Sequence, residues 1–588
     1  MNRLKEWIQT SFSNGLLALK NFPLVILMSL TVTLVTLVRI HMDWASQEGI
    51  NHLLNSLQWS LVLAALISLG MRVSHYLKDE TKLKTIHLDL ISLSLVGIIF
   101  VYLNFFGYYE NSMAYKVITR LAAGRLSVAV IISILFLAYG SSFKDKTHAF
   151  SQGLFMFLKA FATAFIFSSV IALGTTGLAA MVEGLLLDNM SFKVYMYMTT
   201  LSYFMGALIF IGHYNWTKSR DESKRLALCK QANFIRLLID MVLIPISLIM
   251  SLILGLWIIR IVVTSDWPEF EFVTGLILSY GYLGTLLIYL SHDHDGNLAK
   301  VFKRLFPPMA SVVYGFGLYK IILEIGRVSV TTPVYVNMTL MVIGLLMVLV
   351  FIIKSKTAYN VNVYILSLGL LVLVLPLLNF QSFPNRMQIS RLEAILQEEG
   401  ILVDGDLVAN SDVDTDKQEI ITEIIDNLLD QEEIDLPEWL DRDLNKDYYF
   451  ESALGFRRTY DHIRDSYSRG VFLNLDQVLD ISSYDYGVPI TSNQGKERIE
   501  GKEGVYTLEW DLYSESAYVR VSLNKDQIFN LDIRAYIEKM EKEIIAGNQE
   551  VLLVEGEGVF LVFSRIDLYN LDSLDYHYDI YTIFIGEK

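Results

Sequence analysis

A stretch near the middle of the chain, residues 314 to 327, reads YGFGLYKIILEIGR and places charges in an otherwise apolar run. Three charged residues and one glycine stand out in it: Gly317, Lys320, Glu324 and Arg327. Positions three and four apart are neighbours on a helix, so these residues share one face. A lone charge at the centre of a bilayer costs about 2.5 to 3.5 kcal/mol on insertion scales, whereas opposite charges that face protein offset each other. The pattern therefore has two interpretations: a link between this helix and its neighbours, or a path for an ion, a proton or a lipid head group.

A second pair of opposite charges, Arg236 and Asp240, repeats the four-residue spacing. Ser247 and Ser251 follow on a similar face. Pro245 is able to kink this helix because it donates no backbone hydrogen bond. The pair stands beside a basic connection, which favours a position at the membrane interface.

The segment SHDHDGN, residues 291 to 297, could bind a metal ion through His292 and His294. Imidazole and carboxylate groups are metal ligands, and alternate residues of an extended loop share a side. The segment offers only two histidines and ends in a turn-like Asp-Gly pair, which favours a solvated turn. The two histidines are therefore weak metal-binding candidates, and no cofactor is predicted.

The segment DVDTDKQEIITE, residues 412 to 423, places carboxylates at the first, third, fifth and twelfth positions of a calcium-binding loop. Lys417 occupies the sixth position, where such a loop needs glycine, and the segment runs directly into a helical pattern. Acidic residues near the positive end of a helix dipole explain this pattern better. A helix start is therefore predicted here.

The sequence argues against several functional classes. It contains no HExxH, GxSxG, GxxxxGKS or GxxxxGKT motif, and no dinucleotide-binding glycine pattern after a strand. Cys229 is the single cysteine, which rules out an intrachain disulfide and a CxxC site. The acidic C-terminal part would repel phosphates, so a nucleic-acid partner is not predicted. The sequence does not indicate an enzyme.

The first 383 residues repeatedly offer the mostly apolar runs of about 20 residues that cross a hydrocarbon core about 30 Å thick. About eleven spans are predicted, at residues 23–41, 54–73, 86–106, 126–143, 154–182, 192–212, 236–263, 270–290, 310–328, 334–353 and 360–380. Gly174 and Gly177 could break or bend the fifth span, which would change the count.

Basic residues are distributed unevenly between alternate connections. The N-terminal segment and the even-numbered connections contain about 20 Lys and Arg residues, and the other side contains about 7. Because positively charged loops resist translocation, the N-terminus is predicted to stay cytoplasmic and, with an odd number of spans, the C-terminal part to lie outside. The connection from 107 to 125 holds three of those seven charges and is predicted to be a surface helix on the outer leaflet.

The apolar runs stop at Pro384, and the charge changes sign there. Residues 1–383 contain 29 Lys and Arg against 19 Asp and Glu, and residues 384–588 contain 19 against 44. Amphipathic helices are predicted in RMQISRLEAILQEEG, which ends at Gly400, and in DTDKQEIITEIIDNLLDQ. After Gly470, alternating β-branched and aromatic residues predict strands around one further helix, DIRAYIEKMEKEII. The predicted fold is a polytopic α-helical membrane bundle, residues 1–383, followed by a soluble acidic α+β domain, residues 384–588.

Three C-terminal stretches carry a family resemblance: QISRLEAILQEEGILVDGDL, KQEIITEIIDNLLDQ and LDISSYDYGVPI. With these stretches the chain resembles the bacterial membrane family known as domain of unknown function 4153. The resemblance covers most of the chain and implies a many-spanning N-terminal part followed by a soluble part. It supplies no catalytic residues.

These observations predict an integral protein of the bacterial inner membrane that presents an extracytoplasmic binding or sensing domain to the cell envelope, without chemistry of its own. The alternative is a membrane-embedded transporter, or an envelope-polymer or lipid-linked transferase, that uses the polar residues of the ninth span. The predicted partners are the lipid bilayer and an envelope polymer, a lipid or another protein.

Overall fold

The computed structural model describes most of the chain in two compact units. One comprises Met1–Leu407 with Ile424–Asn445, and the other Val408–Glu423 with Lys446–Lys588. The described residues are 13, 16–42, 48–77, 85–110, 115–140, 149–186, 190–214, 230–264, 267, 270–327, 329–353, 358–431, 434, 436–459, 469–472, 481–490, 494–512, 517–545, 548–556, 558–569 and 575–586. The predicted boundary at residue 384 separates membrane from soluble sequence and stays a prediction.

Ten helices of the first unit are long and apolar enough to cross a membrane, counted over the described residues. They are α1 (Pro23–His41), α2 (Glu48–Leu77), α3 (Thr85–Phe105), α4 (Arg120–Gly140), α5 (Ala149–Leu186), α6 (Phe192–Gly212), α7 (Asn233–Thr264), α8 (Phe270–Leu290), α9 (Asn297–Arg327) and α10 (Thr332–Ile353). An eleventh apolar helix, α11 (Ala358–Val372), has 15 residues and stands where the eleventh span is predicted. The polytopic helical architecture is confirmed, and the count of eleven crossings is not.

The two longest predicted spans form long helices. Helix α5 has 38 residues and continues through Gly174 and Gly177, where an added Cβ would meet no atom within 4 Å. Helix α7 contains a π-helical turn, Ile239–Leu243, in which the Ile244 amide donates to the Ile239 carbonyl. Pro245 follows directly; in a regular helix its ring would collide with the carbonyl four residues earlier, and the wider turn relieves that clash.

The connection between α3 and α4 differs from the prediction. It contains a two-stranded antiparallel hairpin of β1 (Tyr108–Glu110) and β2 (Lys116–Ile118), so the predicted surface helix is wrong. The Thr119 hydroxyl accepts a hydrogen bond from the Ala122 amide at the start of α4. This side chain satisfies one of the free N–H groups of the first turn, which is why the helix can begin here.

Large aromatic side chains pack against glycines in the core around α8, α9 and α10. The Tyr314 ring of α9 occupies the space beside Gly281 of α8 and Gly344 of α10, where a Cβ would lie 2.0 Å and 2.3 Å from its nearest atoms. Tyr314 and Phe306 are fully buried. Small residues at such crossings let helix backbones approach closely, so these glycines bring the three helices together.

Helix α11 and the turns after it contact α8 and α10 at two places, one near each end of α9. Near its start, the Tyr289 hydroxyl at the end of α8 donates to the Tyr359 carbonyl at 3.2 Å. Beyond its end, the Tyr335 hydroxyl at the start of α10 donates to the Leu378 carbonyl at 2.7 Å. Because α9 connects the end of α8 to the start of α10, residues 359 and 378 lie at opposite ends of α9.

An amphipathic helix, α12 (Ser382–Glu398), follows α11 and ends near the predicted stop. Gly400 has a φ of 69°, and the Ile401 amide donates to the Leu396 carbonyl. A glycine in the left-handed region accommodates this helix end without the steric penalty of a side chain. The short hairpin of β3 (Leu402–Val403) and β4 (Asp406–Leu407) completes the continuous part of the first unit. Helix α13 (Thr415–Leu429) begins inside the calcium-loop pattern, as the helix-start interpretation predicts.

The second unit contains α14 (Asp447–Leu454) and, further along the chain, two antiparallel sheets. One sheet is a meander of β7 (Gln494–Glu500), β8 (Val505–Asp511), β9 (Tyr518–Leu523) and β10 (Asp526–Asp532). The other contains β5 (Arg469–Phe472), β6 (Tyr486–Pro489), β11 (Leu553–Gly556), β12 (Val559–Tyr569) and β13 (Asp575–Ile585). Helix α15 (Ile533–Ile545) connects β10 to the second sheet.

One apolar core joins the two sheets and α15. Alternate residues of β8, namely Tyr506, Leu508 and Trp510, are buried, as strands with one covered face require. In α15 the buried residues recur at helical spacing, as at Ile533 and Ile537. The predicted β-rich C-terminal region is therefore confirmed.

Candidate functional site

The charged residues of the predicted α9 stripe pair with one another. Lys320 Nζ lies 3.7 Å from Glu324 Oε2, and Arg327 Nη2 donates to Glu324 Oε1 at 3.1 Å. The Lys320 and Glu324 side chains are 15% and 14% exposed, so the pair is largely shielded. Lys320 Nζ also lies 5.6 Å from the ring centroid of Trp267, within cation–π range. These contacts form one cluster near the C-terminal end of α9.

Gly317 shares the α9 face but has a different role. An added Cβ would lie 2.7 Å from Met341 Sδ and 2.9 Å from Ile277 Cδ1, so its surroundings are apolar. This residue serves the close approach of α8 and α10 to α9.

The last turn of α9 is capped from α12. The Arg391 guanidinium donates to the carbonyls of Ile325, Gly326 and Arg327 at 2.9, 3.0 and 3.1 Å. A cation at a helix C-terminus satisfies free carbonyls and interacts favourably with the helix dipole.

A second polar cluster joins residues that the sequence treats as two separate candidates. His294 Nδ1 lies 2.7 Å from Asp240 Oδ1, and His294 Nε2 lies 2.8 Å from Gln231 Oε1. The His294 side chain is 2% exposed. Asp240 belongs to the π-helical turn of α7, and Arg236 Nε approaches its Oδ2 at 4.0 Å. The structure therefore connects the predicted Arg236 and Asp240 pair to one of the predicted metal-binding histidines.

The loop that carries His294 is held by α9. Lys303 Nζ donates to the carbonyls of Ser291, His292 and His294 at 3.2, 3.3 and 2.9 Å. These three carbonyls face one ammonium group, which has three N–H donors. This arrangement fixes the backbone that positions the imidazole of His294 beside Asp240.

The Gln231 amide has a defined orientation. Its Nε2 group donates to the Leu290 carbonyl at 2.7 Å, and since a carbonyl only accepts, Oε1 faces His294. Each ring nitrogen of His294 therefore faces an oxygen acceptor. These two contacts fix the position of the His294 ring between Asp240 and Gln231.

A cavity of about 270 Å³ adjoins this cluster. Its lining residues are Gln152, Phe155, Lys230, Gln231, Asn233, Arg236, His292, Asp293 and His294. The volume is slightly below the range of about 300 to 1,000 Å³ that holds drug-sized ligands. Eight of its nine lining residues are polar or charged, with charges of both signs, so the cavity suits water or a small ion.

The two histidines have separate partners. His292 Nδ1 lies 3.1 Å from the Tyr289 carbonyl and its Nε2 2.9 Å from Asp293 Oδ2, whereas both nitrogens of His294 face Asp240 and Gln231. In the part of the chain that the structure describes, no three His, Cys, Asp or Glu side chains are grouped to hold a metal ion.

Gln231 and Lys303 are the members of this cluster that the sequence did not single out. Gln231 lies 63 residues from His294 along the chain, and Asp240 lies 54 residues from it. No helical or alternating spacing connects positions so far apart. The one signal present was the basic character of the connections that contain Lys230, Arg236 and Lys303.

The stretch LDISSYDYGVPI, the third that carries the family resemblance, includes β6 at the edge of the second sheet. Tyr484 stacks on Phe560 with centroids 5.5 Å apart, and its hydroxyl donates to Glu555 Oε1 at 3.2 Å. The Asp485 amide donates to the Ile585 carbonyl at 2.9 Å. Burial and the neighbouring Glu555 carboxylate raise the pKa of Tyr484 above its ordinary value. These contacts attach the turn before β6 to the end of β13.

The chain matches no protein-family model, no curated protein and no solved structure.

Proposed function

We propose that the chain is an integral membrane protein that crosses the bilayer eleven times and presents its β-rich unit outside the cytoplasm. In this proposal the β-rich unit is a binding or sensing component of a bacterial cell envelope, and the protein has no chemistry of its own. The ten long apolar helices are compatible with an integral membrane protein. The eleventh crossing, the orientation and the role are the proposed parts.

One observation carries the proposal: α11 and the turns after it extend from one end of α9 to the other. The Tyr289–Tyr359 contact and the Tyr335–Leu378 contact lie at those two ends. Helix α11 spans about 22 Å at 1.5 Å per residue, and the turns between residues 373 and 381 extend it. Arg391, bound to the last carbonyls of α9, keeps the following helix at the far end. These contacts support an eleventh crossing, and therefore an odd number, as part of the proposal.

The basic connections support the orientation. Lys300, Lys303 and Arg304 lie at the start of α9, where the chain holds the loop of His294. Cytoplasmic loops carry an excess of Lys and Arg in membrane proteins, so this end of α9 is the proposed cytoplasmic end. The other end, with residue 391, is then extracytoplasmic.

The pairing of the charges within the helical unit supports a role without chemistry. Lys320 and Arg327 both pair with Glu324, and His294 is held between Asp240 and Gln231. The resemblance to the family known as domain of unknown function 4153 is part of the same proposal. It agrees with a many-spanning part followed by a soluble part and names no reaction.

The alternative, a transporter or transferase that uses the ninth span, requires Lys320 and Glu324 to act on a substrate. Their mutual contact at 3.7 Å agrees better with a structural link. In cells that depend on the protein, a Lys320→Leu and Glu324→Gln double variant distinguishes these roles. We expect growth to persist, whereas loss of growth with normal protein levels would favour the alternative.

The experiment that tests the topology labels single cysteines with a membrane-impermeant maleimide in intact cells of the full-length chain. The background variant is Cys229→Ser, which removes the native thiol. Three exposed positions report the three regions: Lys116→Cys in β2, Gly296→Cys beside α9 and Asp526→Cys in the β-rich unit. Gly296 suits the purpose because an added Cβ meets no atom within 4 Å.

We expect Lys116→Cys and Asp526→Cys to react in intact cells and Gly296→Cys to react only after permeabilisation. Permeabilised cells serve as the control that every thiol is reachable. If Asp526→Cys and Gly296→Cys react under the same condition, the number of crossings is even. The proposal of an extracytoplasmic β-rich unit is then wrong.

A further inference from the structure

An open cavity of about 490 Å³ lies where α3, the β1–β2 hairpin, α4 and α12 meet in the first unit. We call it the Arg125 cavity. Its lining residues are Tyr102, Phe106, Tyr108, Tyr109, Thr119, Leu121, Arg125, Gln381, Ser382, Asn385, Arg386, Ile389 and Ile434. Two guanidinium groups and several hydroxyl and amide groups line it, together with aromatic rings. The cavity is thus positively charged and amphipathic.

The two arginines of this cavity have neutral hydrogen-bond partners. Arg125 Nη1 donates to the Tyr102 hydroxyl at 2.7 Å, and its Nε approaches the Val374 carbonyl at 3.4 Å. Arg386 donates to the carbonyls of Ser382 and Leu377 at 3.1 and 3.0 Å. Among the described residues, no Asp or Glu lines the cavity. A guanidinium has five N–H donors, so each arginine keeps donors for an anion, and no carboxylate among the described lining residues offsets its charge.

An apolar groove of about 380 Å³ begins at the same arginine. We call it the α4 groove. Its lining residues are Ile67, Arg125, Val128, Ala129, Ile132, Ser133, Phe136, Leu371 and Val374. The α4 members recur three and four residues apart and so form one continuous stripe. Phe136 at its far end is 40% exposed, which leaves the groove open on the outside of the helix bundle.

The dimensions of the groove match one leaflet of a bilayer. Eleven residues separate Arg125 from Phe136 on α4, a distance of about 16 Å at 1.5 Å per residue. Half of a hydrocarbon core about 30 Å thick is about 15 Å. An acyl chain that enters beside Arg125 therefore reaches about the bilayer midplane at Phe136.

We propose that the Arg125 cavity and the α4 groove together bind one anionic phospholipid of the surrounding bilayer. The phosphate lies between Arg125 and Arg386, and one acyl chain lies along the α4 groove. Charge complementarity selects the anionic head group, and the continuous apolar stripe distinguishes a lipid from a free phosphate ion. This inference requires only that the helical unit lies in a membrane, so it stands independently of the number of crossings.

The test uses the full-length protein in phosphatidylcholine vesicles that contain a small fraction of photoreactive lipid. The probe is phosphatidylglycerol with a diazirine on its acyl chain, and the same chain on phosphatidylcholine is the neutral comparison. Mass spectrometry measures adducts on residues 125–136 relative to adducts on α3, where Ile98 is 65% exposed and serves as a lipid-facing reference. We expect several-fold more α4 adducts from phosphatidylglycerol than from phosphatidylcholine.

Matched variants separate this site from general attraction to basic residues. Arg125→Gln should lower the phosphatidylglycerol signal about tenfold, the expected effect of one charge-assisted contact. Arg120→Gln removes the same charge one turn earlier on α4, where Arg120 is exposed and lines neither cavity, and should leave the signal unchanged. If Arg125→Gln fails to fold, Arg125→Lys serves as the second variant. It keeps the charge and should retain most labelling.

A larger side chain at residue 129 tests whether the groove itself holds the acyl chain. Ala129→Phe should remove adducts from both lipids on residues 128–136, whereas Ala123→Phe, at an exposed position of the same helix, should not. Addition of inorganic phosphate at the concentration of the probe should leave labelling unchanged. Equal labelling by the two lipids, full labelling of a folded Arg125→Gln variant, or displacement by inorganic phosphate would each overturn the proposal.

Discussion

The two ends of α9 carry polar clusters of similar composition that are built in different ways. At the C-terminal end, Lys320, Glu324 and Arg327 come from one helix and meet through three- and four-residue spacing. At the N-terminal end, His294 meets Asp240 and Gln231 across 54 and 63 residues of chain. The first cluster forms wherever α9 is helical. The second requires α7, α9 and their connections to pack correctly, so it should matter more for the stability of the folded unit.

The largest effect should come from removal of His294. The His294→Ala change removes both hydrogen bonds of a 2% exposed side chain and leaves Asp240 and Gln231 without their partner. A buried polar group that loses its partner costs about 1 to 3 kcal/mol, and two groups are affected here, so the unfolding midpoint in detergent should fall by several degrees. Asp293→Asn, at a side chain that is 68% exposed, is the control. Equal midpoints for the two variants would contradict the importance of the long-range cluster.

The next effect concerns Gly317, which sequence spacing groups with the charges and the structure places in apolar packing. Gly317→Ala puts a Cβ within 3 Å of Met341 Sδ and Ile277 Cδ1, so this variant should be about 1 kcal/mol less stable than Gly315→Ala, which gains the same helix propensity without the contacts. Gly315→Ala is the matched control on the same helix, because its added Cβ meets no atom within 4 Å. Thermal unfolding of both variants measures the difference. A similar response of the two glycines would show that close packing at residue 317 is unimportant.

Arg391 connects the C-terminal cluster to the rest of the first unit. Arg391→Gln should cost about 1 kcal/mol, since it removes a cation and several hydrogen bonds from the last carbonyls of α9. Glu393→Gln, an exposed change on the same helix, should have little effect. Hydrogen exchange of residues 325–331 provides the measurement, because a lost cap should speed exchange there first. Unchanged exchange would mean that the cap does not stabilise this helix end.

The smallest effect should come from the pair that the sequence displays most clearly. A double-mutant cycle with Lys320→Met and Glu324→Gln should give a coupling energy of about 0.5 kcal/mol. Although the pair is largely shielded, its 3.7 Å separation exceeds hydrogen-bond distance, so its contribution should be modest. A coupling above that of the His294 and Asp240 pair would reverse the comparison between the two ends of α9.

Regular elements could be predicted from the sequence because their signals are local. The apolar runs predicted the helices that the structure has, and Gly400 marks the end of α12 as expected. The hairpin of β1 and β2 was missed because a surface strand pair of three residues each leaves little periodicity. Strand β7, QGKERIE, lacks the alternation of β-branched and aromatic residues on which the strand prediction rests, since four of its seven residues are charged.

Contacts between helices could not be predicted. The count of about 20 basic residues in the even-numbered connections includes Arg72, yet the Arg72 side chain is 2% exposed and pairs with Asp89 between α2 and α3. Neither the Arg125 cavity nor the α4 groove has a sequence signature, because their walls come from elements separated by more than 200 residues.

The sequence by itself determined that this chain has many apolar helices followed by an acidic, β-rich part, because hydropathy, periodicity and charge act between residues close along the chain. Only the tertiary structure decided which charges are paired, where His294 lies and how α11 relates to the ends of α9. Those outcomes depend on side-chain packing between distant segments, and small changes of helix rotation or register would alter them without changing any local pattern.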